Sequence, residues 1–211
     1  MSDTNSIQSS TSSKWLARSG WTIILILGVW FLTTVAFKYF LFSETVYERF
    51  WDIKWWVLGH VLGGSLALII GPFQFWSHFR NKYMKTHRLM GKIYLISIAI
   101  GSICAFKMAA TTALAISWQW AISLGILGVA WVLTAFMAYR SVRLKRISQH
   151  KEWMVRSYVV TFAFVTFRIL LIIGIGSGLG NFPEVAPTMG WASWTLPLLI
   201  TEMYIQAGKK E

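Results

Sequence analysis

The side chains best suited to chemistry in this sequence are four histidines, one internal arginine and one glutamine: His60, His78, His87, His150, Arg168 and Gln74. Neutral imidazole ligates transition metals and haem iron, and it exchanges a proton near neutral pH. A guanidinium holds anions, and an amide both donates and accepts hydrogen bonds. No Cys pair and no two-histidine helical motif occurs, so no metal site of the zinc type is expected. Cys104 is the single cysteine, which excludes an intrachain disulfide; inside an apolar stretch it reads as a small buried hydrophobe. No base and orienting acid cluster near any Ser or Thr, so hydrolysis by a nucleophile is not expected, and no reaction is assigned.

The elements that position these residues follow from composition. Apolar residues make up 55% of the 211 positions and charged residues 13%, against about 25% charged in a soluble domain. The mean hydropathy is +0.54. The net charge of +12 does not point to nucleic acid, because the basic residues form short clusters between apolar runs rather than one basic face with stacking aromatics. A spanning helix needs roughly 20 mainly apolar residues. Such runs fall at Trp21–Phe42, Trp55–Trp76, Leu89–Ala109, Trp118–Tyr139, Trp153–Gly174 and Trp191–Ile205, the last being short and containing Pro197. The expected fold is therefore all-α, an integral membrane bundle of six transmembrane helices over residues 21–207. Residues 1–20 read as a disordered cytoplasmic tail, and residues 208–211 as a second short one.

Orientation follows from the loops. Arg80, Lys82, Lys85, Arg88 and Lys92 lie between the second and third runs, and Arg140, Arg143, Lys145, Arg146, Lys151 and Arg156 between the fourth and fifth. The alternate loops carry few or mixed charges. Positive loops stay inside, which puts both termini in the cytoplasm and the chain in the cell (inner) membrane as a multi-pass protein. The run from Trp21 is too long for a secretory signal and is expected to remain as an anchor. Trp15, Trp21, Trp51, Trp55, Trp56, Trp76, Trp118, Trp120, Trp153, Trp191 and Trp194 fall near the expected helix ends and read as interfacial anchors.

On this topology His78, His87 and His150 gather at the cytoplasmic boundary, while His60 lies alone about 8 Å below the outer end of its helix. His87 and His150 each open a helix at similar depth, as two axial ligands of a b-type haem would, and Arg88, Lys92, Lys151 and Arg156 would then neutralise its propionates. The alternative is that these histidines bind lipid phosphates or backbone carbonyls. His60, among Gly59, Gly63 and Gly64, would ligate haem, meet a quinone carbonyl, or only bond a neighbouring helix. Pro72 frees a backbone carbonyl one turn earlier, and Gln74 brings an amide into the same span. Arg168 lies about 18 Å along its helix from Arg156, near mid-membrane. There it needs a counterion, either Glu202 or an anionic ligand. Lys38 and Lys107 are explained by snorkelling.

Five segments together resemble a family of bacterial membrane proteins known as domain of unknown function 2306. They are His60 with its glycines, Gly71-Pro72-Phe73-Gln74, the stretch His87-Arg88-Leu89-Met90-Gly91-Lys92-Ile93-Tyr94, the stretch His150-Lys151-Glu152-Trp153-Met154-Val155-Arg156-Ser157, and Thr161 to Arg168. The resemblance implies a multi-pass membrane protein and supplies no activity.

Three functions fit the residues. The first is a redox protein with a b-type haem on His87 and His150, meeting a quinone near His60 and Arg168. The second is a binding protein or transporter for a small anion or lipid head group, using Arg168, Gln74 and His60. The third is a scaffold for another membrane subunit. Reporter fusions in the basic turns after residues 82 and 145 should read cytoplasmic; a periplasmic signal from either would reverse every assigned depth.

Overall fold

The computed structural model describes residues 19–209. Lys14, Trp15, Arg18, Lys210 and nearly all of the expected N-terminal tail lie outside them. Every secondary-structure element among the described residues is helical. The long ones are α1 (Ser19–Leu41), α2 (Lys54–Phe75), α3 (Met84–Met108), α4 (Trp118–Arg143), α5 (Ile147–Gly176) and α6 (Phe182–Ala207). Five segments, from α1 to α5, are long and apolar enough to cross a membrane. The 26-residue α6 is not among them, although it is as long as α4.

The turns alternate between two ends of the bundle. The basic end holds the short helix Ser77–Lys82 and the turn from α4 to α5. The far end holds the connections from α1 to α2, α3 to α4 and α5 to α6. Neighbouring helices pack as α2 on α3, α3 on α4, α4 on α5 and α5 on α6, with α6 also touching α4. Leu32 and Ala36 of α1 join Leu68 of α2 with Tyr158 and Val165 of α5 in one apolar cluster, so α1 covers the groove between α2 and α5.

Three expectations about helix limits need correction. The third and fifth helices begin earlier, at Met84 and Ile147 rather than Leu89 and Trp153. The sixth begins at Phe182 rather than Trp191. Its start is fixed by a capping box: Asn181 is the N-cap, and its backbone N–H donates to Glu184 Oε2 at 2.8 Å. Gly180, with φ of +140°, lies against that carboxylate and leaves no room for a Cβ. Because α6 starts early, Trp194 sits well inside it and is buried. Trp120 is also buried, stacked on Phe167 with ring centroids 5.1 Å apart. Neither is an interfacial anchor, whereas Trp55, Trp76 and Trp118 are exposed near helix ends.

Close approach of α2 to its neighbours depends on two glycines. A Cβ on Gly63 would stand 2.5 Å from Ser97 O and 2.9 Å from Gly101 N, both backbone atoms of α3. At Gly71 a Cβ would run into the ring of Tyr158 from α5. A Cβ on Gly64, the next residue after Gly63, would meet nothing within 4 Å. The Tyr158 ring lies there for a reason set by the next residue. Pro72 has no N–H, so the carbonyl of Leu68 has no donor from its own helix. Tyr158 Oη supplies one from α5, at 3.3 Å. Helix α2 runs on past Pro72 to Phe75.

Gly63→Ala should therefore push α2 from α3 and lower thermal stability in detergent, because neither backbone atom can give way. Gly125→Ala, where nothing lies within 4 Å, should be neutral or slightly stabilising. Equal losses in the two variants would remove the close-packing account.

Candidate functional site

Polar groups inside the bundle fall into those that satisfy one another and those that do not. The first set joins α3, α4 and α5. Thr161 donates to Ser157 O at 2.8 Å. Its oxygen must then accept from Trp131 Nε1 at 2.8 Å and from Tyr94 Oη at 3.0 Å. The Tyr94 proton being used, Ser157 Oγ donates to the tyrosine oxygen at 2.9 Å. Tyr94, Ser157, Thr161 and Trp131 are all buried, and each of their side-chain protons is engaged. No side-chain donor is left over, so the cluster fixes helix register. Trp131 is thus a packed core residue whose N–H is committed.

One wall of this cluster is also the wall of a cavity. A space of about 520 Å³ opens in the far half of the bundle, touched by all six long helices. Its aromatic sides include Trp120, Trp131, Phe164 and Phe167, and its polar residues include His60, Ser65, Tyr39 and Arg168. Lys38, Glu48 and Arg49, all exposed, lie at its mouth. Lys38, explained above by snorkelling, thus also borders this space. Two π-helical turns, Leu32–Ala36 and Ala109–Ala113, interrupt the walls supplied by α1 and α3; such turns recur at functional sites. Over the mouth, Tyr47 is fully buried among Tyr39, Phe42 and Trp51, and its hydroxyl donates to Tyr39 O at 2.9 Å. Glu48 beside it has φ of +47°, an uncommon backbone for a non-glycine residue.

His60 Nδ1 lies 3.0 Å from the carbonyl oxygen of Gly101. A carbonyl only accepts, so Nδ1 carries the hydrogen and Nε2 of the neutral ring presents a lone pair. The ring stands edge-on to Phe164, with centroids 5.2 Å apart. Arg168 follows Phe164 by four residues, about 6 Å along α5. It is half-buried, and no carboxylate among the described residues pairs with it. The expected partner, Glu202, is engaged elsewhere. Its Oε2 accepts from Arg156 Nη2 at 2.6 Å and from Arg156 Nε at 2.9 Å, tying α6 to α5 at the basic end. Arg156 also meets Glu152 at 3.5 Å and lies 4.8 Å from the Trp153 ring centroid. It is a buried structural cation and not a free one waiting for a propionate.

The other sequence-derived candidates cluster at the basic end. His150 Nδ1 donates to Ala138 O at 2.9 Å, which leaves its Nε2 free. His87 is close enough to His150 for their charges to interact. Its Nδ1 is buried without a hydrogen-bond partner among the described residues. Gln74 is buried, its Oε1 faces Gly91 one turn beyond His87, and its Nε2 has no partner among the described residues. Gln74 does not line the cavity and so is not brought together with Arg168. His78 is exposed and stacks loosely on Trp76. Among the described residues no group of three or more His, Cys, Asp and Glu could hold a metal ion.

A family model described as a predicted membrane protein, DUF2306, matches residues 57–205. The chain belongs to that family. No curated protein and no solved structure matches it. The DUF2306 stretch contains His60, Gln74, His87, His150 and Arg168, and the whole hydroxyl cluster. It excludes α1 and the cap, hence Lys38, Glu48 and Arg49 at the mouth of the cavity. Those three were missed as site residues because nothing in the sequence brings α1 and the following loop over His60. Tyr94, Ser157 and Thr161 were missed for a related reason, since the partner of each lies on another helix.

Interhelical hydrogen bonds in membrane proteins average about 0.6 kcal/mol and reach about 1.7. Tyr94→Phe and Thr161→Val should each cost that order of stability. Together they should cost less than their sum, because both disrupt one cluster. Strict additivity in a double-mutant cycle would show the hydroxyls to be independent.

Proposed function

We propose that this protein spans the cell (inner) membrane six times, with both termini cytoplasmic, and binds an anionic amphiphile by its head group in the central cavity. Support for a sixth span comes from the contacts of α6. Val185 meets Gly174 at the far end, and Glu202 meets Arg156 at the basic end. The α5 stretch between those contacts rises about 27 Å, close to the roughly 30 Å of a hydrocarbon core. The orientation rests on Arg80, Lys82, Lys85, Arg88, Arg140, Arg143, Lys145 and Arg146 lying at one end of the bundle.

The observation that carries the binding assignment is the guanidinium of Arg168 on the wall of the cavity, with which no carboxylate among the described residues pairs. An unpaired charge within a membrane costs at least about 2.5–3.5 kcal/mol at the centre. A bound anion would offset that cost, while Phe164, Phe167 and Trp120 would accommodate the apolar part. Lys38 and Arg49 at the mouth would draw the head group in. Gln74 has no part in this site.

A second reading is favoured by the histidine tautomers. Haem-ligating histidines donate their second ring N–H to a backbone carbonyl, as His150 does to Ala138. A b-type haem on His150 and His87, with a quinone head group between His60 and Arg168, would make the protein a redox carrier. His87, whose Nδ1 has no partner, is the weaker ligand of the pair.

Reconstituted in nanodiscs, the protein should bind anionic lipids with a stabilising shift in unfolding temperature. Arg168→Gln should lose the shift, while Arg168→Lys should keep part of it. A shift of the same size in Arg168→Gln would remove the assignment. Purification after haem-replete growth tests the second reading: a Soret band abolished by His150→Ala supports it, and a colourless protein ends it.

A further inference from the structure

The cavity presents its ligand with two different demands. At Arg168 it offers donors and a positive charge. At His60, with Nδ1 bound to Gly101 O, the neutral ring offers only a lone pair. No protein donor among the described residues reaches that Nε2. The N–H of Trp131, whose ring centroid lies 6.4 Å from that of His60, is already given to Thr161 at 2.8 Å. Ser65 lines the same space but makes no hydrogen bond to the ring. A ligand that satisfies both groups must bring a negative charge and a hydrogen-bonding proton within one head group, because Arg168 lies about one helical turn beyond the level of His60.

Few head groups do so. At neutral pH a carboxylate, or a phosphodiester whose alcohol bears no hydroxyl, carries no proton of its own, so each sets oxygen lone pairs against Nε2 unless the ring takes up a proton from water. A phosphomonoester carries about −1.5 to −2 charges at neutral pH and keeps one titratable P–OH. With the proton on phosphate, P–OH donates to His60 Nε2. With the proton on the ring, Nε2–H donates to the dianion. One shared proton satisfies both groups in either state. The charge at the cavity agrees: Lys38, Arg49 and Arg168 face a single carboxylate, Glu48, which leaves two positive charges in excess. None of the three cations has an ion pair with Glu48 among the described residues.

We infer that the ligand of this cavity is a phosphomonoester, with Arg168 holding its charge and His60 Nε2 sharing its proton, so that His60 selects it over phosphodiesters and carboxylates. This rests on the anion-binding assignment made above. The shared chemistry covers a lipid phosphate monoester and a free phosphate.

The full chain in nanodiscs of zwitterionic lipid would be titrated with phosphatidic acid, phosphatidylmethanol (a diester without a hydroxyl), a fatty acid and inorganic phosphate. Wild type should bind phosphatidic acid at least about tenfold more tightly than phosphatidylmethanol or the fatty acid, the scale of one charge-assisted hydrogen bond. His60→Asn should bring the three to similar affinity while still binding phosphatidylmethanol, which also shows that the variant folds. Arg168→Gln should weaken all of them. Inorganic phosphate competing with phosphatidic acid at comparable concentration would identify a soluble ligand; failure to compete would identify the lipid, and both support the inference. Equal wild-type affinities for monoester and diester, or a preference that survives in His60→Asn, would overturn it. Absence of binding by every anion would instead defeat the underlying assignment.

Discussion

Hydrocarbon offers no hydrogen bonds, so every polar group of this bundle has to be answered from within the protein. The clearest answer is the closed cluster of Tyr94, Ser157, Thr161 and Trp131, which holds three helices in one register with no donor left over. Sliding α3, α4 or α5 by a turn would strand several of these atoms together. The cluster therefore defines where Trp131 and Phe164 stand, and with them the wall against which His60 packs.

That same rule makes the unanswered groups informative. Arg156 is as polar as Arg168, yet it is enclosed by Glu202, Glu152 and the Trp153 ring and carries no functional implication. Among the described residues Arg168 has no carboxylate and the His60 Nε2 atom has no donor, and both border one space lined by large aromatic rings. At the basic end, Gln74 and His87 each keep one unpartnered atom, but they lie in the packed joint between α2 and α3 rather than on the cavity. The two ends differ in kind: one is a joint with residual polarity, the other a room with a charged door.

Much of this was legible in the residues. Long apolar runs announce helices, and the five longest candidates are present. Pro72 announces a carbonyl in need of a donor; the sequence does not say that Tyr158 provides it. Arg168 is conspicuous as a charge in an apolar run, and its place on an interior wall follows from cost alone. The start of α6 was legible too, since Asn181 and Glu184 stand at capping-box spacing with Pro183 in the first turn. Starting the sixth run at Trp191, where the apolar pattern begins, concealed it. What no linear pattern carries is pairing across helices. Glu202 is nearer in sequence to Arg168 than to Arg156, and only the antiparallel packing of α5 and α6 decides between them. The cap that brings Lys38 and Arg49 over the cavity is equally silent, being built from π and 3-10 turns with positive φ at Phe42 and Glu48.

The bond from Tyr158 to Leu68 joins residues 90 positions apart, and this has a bearing on biogenesis. When α2 leaves the ribosome, its proline defect has no remedy in the nascent chain. At roughly 5–20 residues per second, the tyrosine that repairs it arrives on the order of ten seconds later. During that interval the segment must be sheltered by the insertion machinery, by water at its edge, or by α1 and α3. Completion of α2 as a lipid-compatible element is thus deferred until α5 is made, which ties the maturation of the first half of the protein to the synthesis of the second.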